Sequence, residues 1–456
     1  MLGLKKQAIR GRGGVKTLSF HTFGMGKRGS GSLRGDRALN CSCKGGRLRG
    51  GVGVKPYEDP SGNKLPVLVT TSNAAVYLTT SNTTGTVVGA GAQVYLLDKN
   101  GQLYLRNPST TRAEQKIFLG PSVDHCALKT EEGKIYNLFC GTGNVVSTMD
   151  GTSFSSKLLD GMRGACILGK RYIMARYNGE IRYSAVFSPF EQSSSDPDGS
   201  GIIYLPTGYG EVVGMKEYAG EAYIFCEKGI FRLTVSANAS NFTLKNIPYK
   251  GGNICLRSMA VSEKGIVFLA SEGAHCVNGD SVKRICEYLD IGPCNVYALC
   301  ATGYGNGFFM IDYTKQTEDG GESRRLVVDT DCEDAFFTDE YGALGENEYT
   351  LVMGQVGIFT KDEEGIRRGQ TPYFTSVPLD FGTSKNKRLK SIRVRGSGGV
   401  TVTVQCGGVE HSYPLTFVDG EAKTRLMGKG KAVTLTFALK PWAVVEGVEI
   451  EYTVED

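Results

Sequence analysis

Short stretches in which β-branched or aromatic residues alternate with polar ones, each opened by a glycine turn, recur through the middle of this 456-residue chain. They read NGQLYL at 100–105, EGKIYNL at 132–138, NGEIRYS at 178–184, KGIFRLT at 228–234, EGAHCVN at 272–278 and VGIFTK at 356–361. The alternation is that of a half-buried strand, and Asn-Gly, Glu-Gly and Lys-Gly put glycine where a tight hairpin needs positive φ. Gly101, Gly133, Gly179, Gly229, Gly273 and Gly357 lie 32, 46, 50, 44 and 84 residues apart, the last interval being twice 42. A hairpin from FFMIDY to RRLVVD around Gly320 fills that double interval. A recurrence of about 40 to 50 residues that carries several short strands is the spacing of a β-propeller blade. Each unit buries only one face by itself, so several must stack. Glycine-rich β proteins also produce such hairpins without forming a ring, and the pattern alone leaves that alternative open.

The expected fold is therefore all-β. A propeller-like body of six to seven blades occupies 56–370, preceded by a basic glycine-rich arm at 1–55 and followed by a β-sandwich at 371–456. The last region has a different texture, with longer alternating strands such as LKSIRVRG, GVTVTVQCGG and VEGVEIEYTVE separated by glycine turns. Trp442, the one tryptophan, follows Pro441 at a strand junction and reads as a core anchor. No stretch holds a 3.6-residue apolar period, and with 62 glycines in the chain helix should be a small minority.

Charge is distributed unevenly. Residues 1–55 carry 13 Lys or Arg against the single acid Asp36, so this segment holds about +12 of formal charge while the whole chain is only +5. Lys5, Lys6, Arg10, Arg12, Lys16, Lys27, Arg28, Arg34, Arg37, Lys44, Arg47 and Arg49 are the candidate contacts to phosphates or to an acidic partner surface. With so little apolar surface, the arm should be mobile in isolation. A solvated tail that wraps over neighbouring subunits without touching nucleic acid fits the same composition.

Catalytic and cofactor motifs are wanting. The string Gly164 to Lys170 satisfies GxxxxGK, but Arg171 stands where Mg²⁺ binding needs Ser or Thr, and ACIL between the glycines is an apolar strand. GMGKRG at 24–29 matches GxGxxG with no strand before it and no helix after it. Only His21, His125, His275 and His411 are present, and His125-Cys126 and His275-Cys276 are neighbours that a strand points to opposite faces. The acidic runs at Asp329, Asp331, Glu333 and Asp334, and at Asp196 and Asp198, lack the EF-hand pattern and read as solvated turns, with a weak Ca²⁺ site the alternative. No enzyme activity, cofactor or metal is expected. The start lacks the apolar stretch of a secretory signal, no apolar run approaches a membrane span, and 13 scattered cysteines read as reduced, buried small hydrophobes of a protein folded in a cytoplasm.

Several phrases taken together resemble a family of tailed-bacteriophage virion proteins, the tail nozzle or packaged-DNA stabilisation proteins and related head-to-tail connector components. They are ALNCSCKGGRLRGGVGV at 38–54, LGKRYIMARYNGEIRYSAVFSPFE at 168–191, EYAGEAYIFCEKGIFRLT at 217–234 and SVPLDFGTSKNKRLKSIRVRGSGGVTVTV at 376–404. The resemblance implies a structural subunit of a homo-oligomeric ring, sixfold in this family, around the path of the genome in the virion. Portal, adaptor or tail proteins would be its partners, with non-specific DNA contact and no membrane. A receptor- or glycan-binding adhesion module of a tail tip is the alternative. Truncation of residues 1–55 is the corresponding test of the arm.

Overall fold

The computed structural model describes residues 14–25, 31–50, 155–186, 199–236, 241–287, 291–297, 300–305, 308–330, 371–440 and 443–455, together with the backbone of the strands between 54 and 148 and between 334 and 361. The regular structure among these residues is strand, with one 3₁₀ turn at Lys44–Gly46 and no α-helix. The chain forms two compact units. One comprises 56–324 and 344–360, the other 1–55, 325–343 and 361–456.

The first unit is a series of four-stranded antiparallel meanders in which each strand pairs only with its neighbours in sequence. Five are complete, running from Ala75–Thr80 to Ala113–Phe118, Asp124–Lys129 to Ser155–Leu158, Met162–Leu168 to Gly201–Tyr204, Val212–Tyr218 to Thr243–Ile247, and Ala260–Ser262 to Ser281–Ile285. A hairpin of Ala301–Gly305 with Phe308–Thr317 follows. The last hairpin, Tyr349–Val352 with Gln355–Lys361, is joined by Leu68–Val69 from the beginning of the unit, Val69 opposite Gln355 and Leu68 opposite Val356.

Successive meanders pack face to face. Cys166, Ile173, Ile181, Val212, Met215, Ile224 and Phe231 form one core between the third and fourth meanders. Val213, Tyr223, Phe225, Ile230, Phe268 and Val277 form the next, between the fourth and fifth. Neighbours along a strand, such as Val212 and Val213 or Ile230 and Phe231, thus serve opposite cores. This corrects the expectation of half-buried strands. Strands sandwiched on both faces read as continuous apolar runs, and all six residues of Gly265–Ala270 are buried.

Every one of the recurring hairpin signals is a strand, namely Gln102–Arg106, Ile135–Cys140, Glu180–Tyr183, Gly229–Thr234, Gly273–Asn278 and Gln355–Lys361. They do not all take the same place in their sheets. Ile135–Cys140 is the second strand of its meander, whereas the four signals in the other complete meanders are third strands, which explains the short 32-residue interval. The glycines also act differently. Gly179 takes φ 86° in its turn. Gly229 is not among the positive-φ residues, but a Cβ there would lie 2.3 Å from the Tyr209 ring.

In the second unit the described strands of the segment expected to be a mobile arm are instead built into the sheets of the C-terminal region. Val15–Phe20 pairs antiparallel with Val444–Glu455, Leu18 opposite Ile450 and Phe20 opposite Val448. Leu48–Gly50 pairs with the same strand at Val444 and Val445, and Ser32–Leu39 pairs with Tyr373–Ser376. The buried rings of Phe23, Phe374 and Phe437 meet edge to face, Phe23 lying 5.7 Å from each of the others. The described strands of 1–55 therefore fall in one compact unit with the C-terminal region, and residues 325–343 are grouped with them. Trp442 lies outside the described residues.

Candidate interaction surfaces

Of the twelve basic residues proposed from sequence, the side chains of Lys16, Arg34, Arg37, Arg47 and Arg49 are described. Lys5, Lys6, Arg10, Arg12, Lys27, Arg28 and the side chain of Lys44 lie outside the described residues. Lys16 is half-buried on its strand, opposite Tyr452. Arg37 pairs with its neighbour Asp36 at 3.5 Å, and Arg47 with Glu446 at 3.3 Å. Arg34 and Arg49 are exposed, with no ion pair to a described residue.

One face of the C-terminal region carries a ladder of charges made by cross-strand register. Basic residues of Asn386–Ser397 face acidic residues of Val444–Glu455, with Arg388 Nε at 2.6 Å from Glu455 Oε1 and Arg393 Nη1 at 4.0 Å from Glu449 Oε2. Lys429 reaches Glu455 at 2.6 Å, and Lys423 reaches Glu451 at 3.4 Å. The hydrogen bond donated by Ser391 and the Lys423 ammonium hold the Glu451 carboxyl below the usual carboxylate range. A ladder that neutralises itself in this way fixes register and leaves little net field. A different sheet of the same unit carries a row of hydroxyls, with Thr375 and Thr436 at 3.0 Å and Thr403 and Ser412 at 2.8 Å.

The first unit holds a charge cluster that sequence reading missed. Leading strands of successive meanders pack on one another, Asp124–Lys129 on Met162–Leu168, that strand on Val212–Tyr218, and that in turn on Ala260–Ser262. Asp124 accepts hydrogen bonds from the Ala165 amide at 3.1 Å and from Lys216 Nζ at 3.0 Å. It thus reaches both the next meander and the one after. Arg257 donates to the Met162 carbonyl at 3.5 Å, again skipping a meander. Burial would raise the Asp124 carboxyl, but Lys216, Arg257 and the Ala165 amide outweigh it, and the group stays below the usual carboxylate range. Beside it, burial pushes the thiols of Cys126, Cys140 and Cys166 up, so they are protonated and unreactive. Nothing in sequence links positions 124, 216 and 257; a lone lysine inside the apolar strand VVGMKEY was the one available sign.

The residues set aside in the sequence take structural places. The GxxxxGK string is the strand Met162–Leu168 and its turn, and Arg171 is fully buried. Its guanidinium donates to the carbonyls of Ser184 at 2.8 Å and Gly199 at 2.5 Å, and lies over the rings of Tyr183 and Phe242. His275 stacks on Phe268 at 5.4 Å, and burial lowers its pKa. A strand does precede GMGKRG, since Thr22–Gly24 ends in it, but the next described element is the parallel strand Ser32–Leu39 and not a helix. The side chains of His125, Asp331, Glu333 and Asp334, and all of Asp196 and Asp198, lie outside the described residues, while Asp329 is buried.

No family model and no curated protein matches the chain. Among solved structures, a streptogramin B lyase is similar over 66% of this chain and 94% of its own, with 11% identity and a TM-score of 0.36. The virginiamycin B lyase of Staphylococcus aureus bound to quinupristin is similar over 57% and 97%, with 11% identity and a TM-score of 0.34. The WD40 repeats of RRP9 match over 60% and 84%, with 7% identity and a TM-score of 0.33. Likeness at this level carries over neither an activity nor a ligand.

Proposed function

We propose that this chain is a structural subunit of a tailed-phage virion, a ring-forming tail or head-to-tail connector (nozzle) protein that surrounds the DNA path. Its body would be a β-propeller of six to seven blades, and the sheets of its terminal segments a β-sandwich. The observation that supports a closed body is the return of the chain to its own beginning. Leu68–Val69 pairs into the sheet of Gln355–Lys361, and Tyr349–Val352 packs on Ala75–Thr80. A circle of blades closed by strands from both ends removes the exposed edges that an open stack would leave. The phage assignment rests on the sequence resemblance and on the charge asymmetry between residues 1–55 and the rest of the chain.

Electron microscopy of the purified protein, alone and mixed with candidate neighbours, tests the reading. Rings with a central channel are expected. Dispersed monomers that bind host cells would overturn it in favour of an adhesion module. Truncation of residues 1–55 is no longer a clean test of charge, because it removes strands from the C-terminal sheets. The double reversal Arg34→Glu with Arg49→Glu changes charge at exposed positions and spares the core. It should weaken association with an acidic partner or with DNA and lower the salt dependence of log K by about 2. Unchanged binding and salt slope would exclude these two side chains as contacts.

A further inference from the structure

The C-terminal sheet that carries the charge ladder holds more cations than the ladder uses. Between Phe381 and Val409 the chain has six Lys or Arg and no acid, and between Ala422 and Val445 it has five and no acid. The strand Asn386–Ser397 comes from the first stretch and pairs with Glu421–Arg425 and with Lys429–Gly430. Register then sets like charges opposite each other, Arg393 facing Lys423 and Arg388 facing Lys429. Directly opposed like charges destabilise a sheet, and such breaches of a local rule concentrate at functional sites. Lys390 is the extra residue of a bulge, and its carbonyl accepts from the Leu426 amide at 3.0 Å. That step shifts the phase of the strand by one residue and brings Arg393 onto the face of Arg388. The glutamates answer from one side only. Glu455 is shared by Arg388 and Lys429, Glu451 takes Lys423, and Glu449 takes Arg393. Glu421, the one acid on the neighbouring strand, faces Arg395. Lys390 and Arg425 are exposed, with no ion pair among the described residues. Six cations thus meet three carboxylates, and the four that are paired keep 43–56% of their side chains exposed.

We propose that this face binds the phosphate backbone of a nucleic acid, its Lys and Arg contacting phosphates while the glutamates of Val444–Glu455 bound the path by repulsion. Two features favour a nucleic acid over an acidic protein. Half of the six cations are lysines, which protein interfaces deplete, and no aromatic side chain among the described residues of 371–456 is exposed to serve as an anchor. Point charges about 7 Å apart along a strand, as at Lys423 and Arg425, neutralise phosphates and read no base. Binding is therefore independent of sequence and sensitive to salt. The surface would give the DNA path of the proposed function a contact on this chain, but it is argued from this sheet alone, without the virion assignment.

The test is fluorescence anisotropy of a labelled random-sequence DNA duplex titrated with the full-length protein over a range of NaCl concentrations. Wild type should bind, and Lys390→Glu with Arg425→Glu should weaken binding by about tenfold or more at low salt and lower the salt dependence of log K by about 2, with Tm unchanged. Lys390→Gln with Arg425→Gln, which removes the charges without reversing them, should lower the salt dependence equally and the affinity less. Absence of duplex binding would overturn the proposal, as would a salt slope that the reversal leaves unchanged, since cations elsewhere would then carry the binding. Displacement of the duplex by polyglutamate at an equal concentration of charge would overturn it in favour of an acidic protein partner. Rings in electron microscopy with an unchanged salt slope would reject this face and keep the proposed function, whereas charge-dependent binding by dispersed monomers would do the opposite.

Discussion

Asp124 shows how one side chain can tie sheets that are not neighbours in sequence. Its carboxylate faces Lys216 and Arg257 in a site where its side chain is only 13% exposed, so Asp124→Asn removes a buried negative charge from beside two cationic groups. A loss of about 2 kcal/mol in denaturant unfolding at neutral pH is expected. The folded-state pKa lies below the unfolded one, so this stabilisation is present above about pH 4 and fades as pH falls through the folded value. The gap between wild type and variant should close in acid, and a gap independent of pH would contradict the charge assignment. Gly229 makes a steric counterpart. Gly229→Ala drives a methyl into the Tyr209 ring at 2.3 Å, and a destabilisation of about 1–3 kcal/mol should appear as a lower Tm, relieved in part by Tyr209→Ala.

Individual strands were largely legible. Turn glycine followed by β-branched and aromatic residues located a strand at each of the six recurring signals, because hairpin chemistry is local and needs no partner. Burial on both faces was less legible, since it depends on what packs against the strand. The N-terminal segment was misread for a related reason. Averaged over 55 residues its composition is that of a solvated arm, yet Leu18, Phe20, Phe23, Met25, Leu33, Cys41, Cys43 and Leu48 are apolar positions that the C-terminal strands complete into a core. Phe23→Ala measures this directly. Loss of a fully buried ring in edge contact with Phe374 and Phe437 should cost about 3–5 kcal/mol, whereas a detached arm would lose nothing measurable. The charge cluster had no comparable sequence sign, because its members come from three different sheets.

At the scale of the molecule, each compact unit is assembled from segments far apart in sequence. Deleting residues 371–456 should therefore expose the amides of Val15–Phe20 to fast hydrogen exchange, although the deletion lies more than 350 residues away. Retained protection at Leu18 and Phe20 would show that the N-terminal strand finds its order elsewhere. The pairing of Val15 with Thr453 also has a consequence for biosynthesis. A ribosome adding about 5–20 residues per second needs about 20–90 s to make the partner strand after the first has emerged. Throughout that interval any strand formed by the nascent N-terminal segment would carry an open edge. The excess of Lys and Arg at 1–55 would oppose pairing of those edges between nascent chains of one polysome. The same charges that read as candidate partner contacts would thus act earlier, as a delay on pairing until the right strand exists.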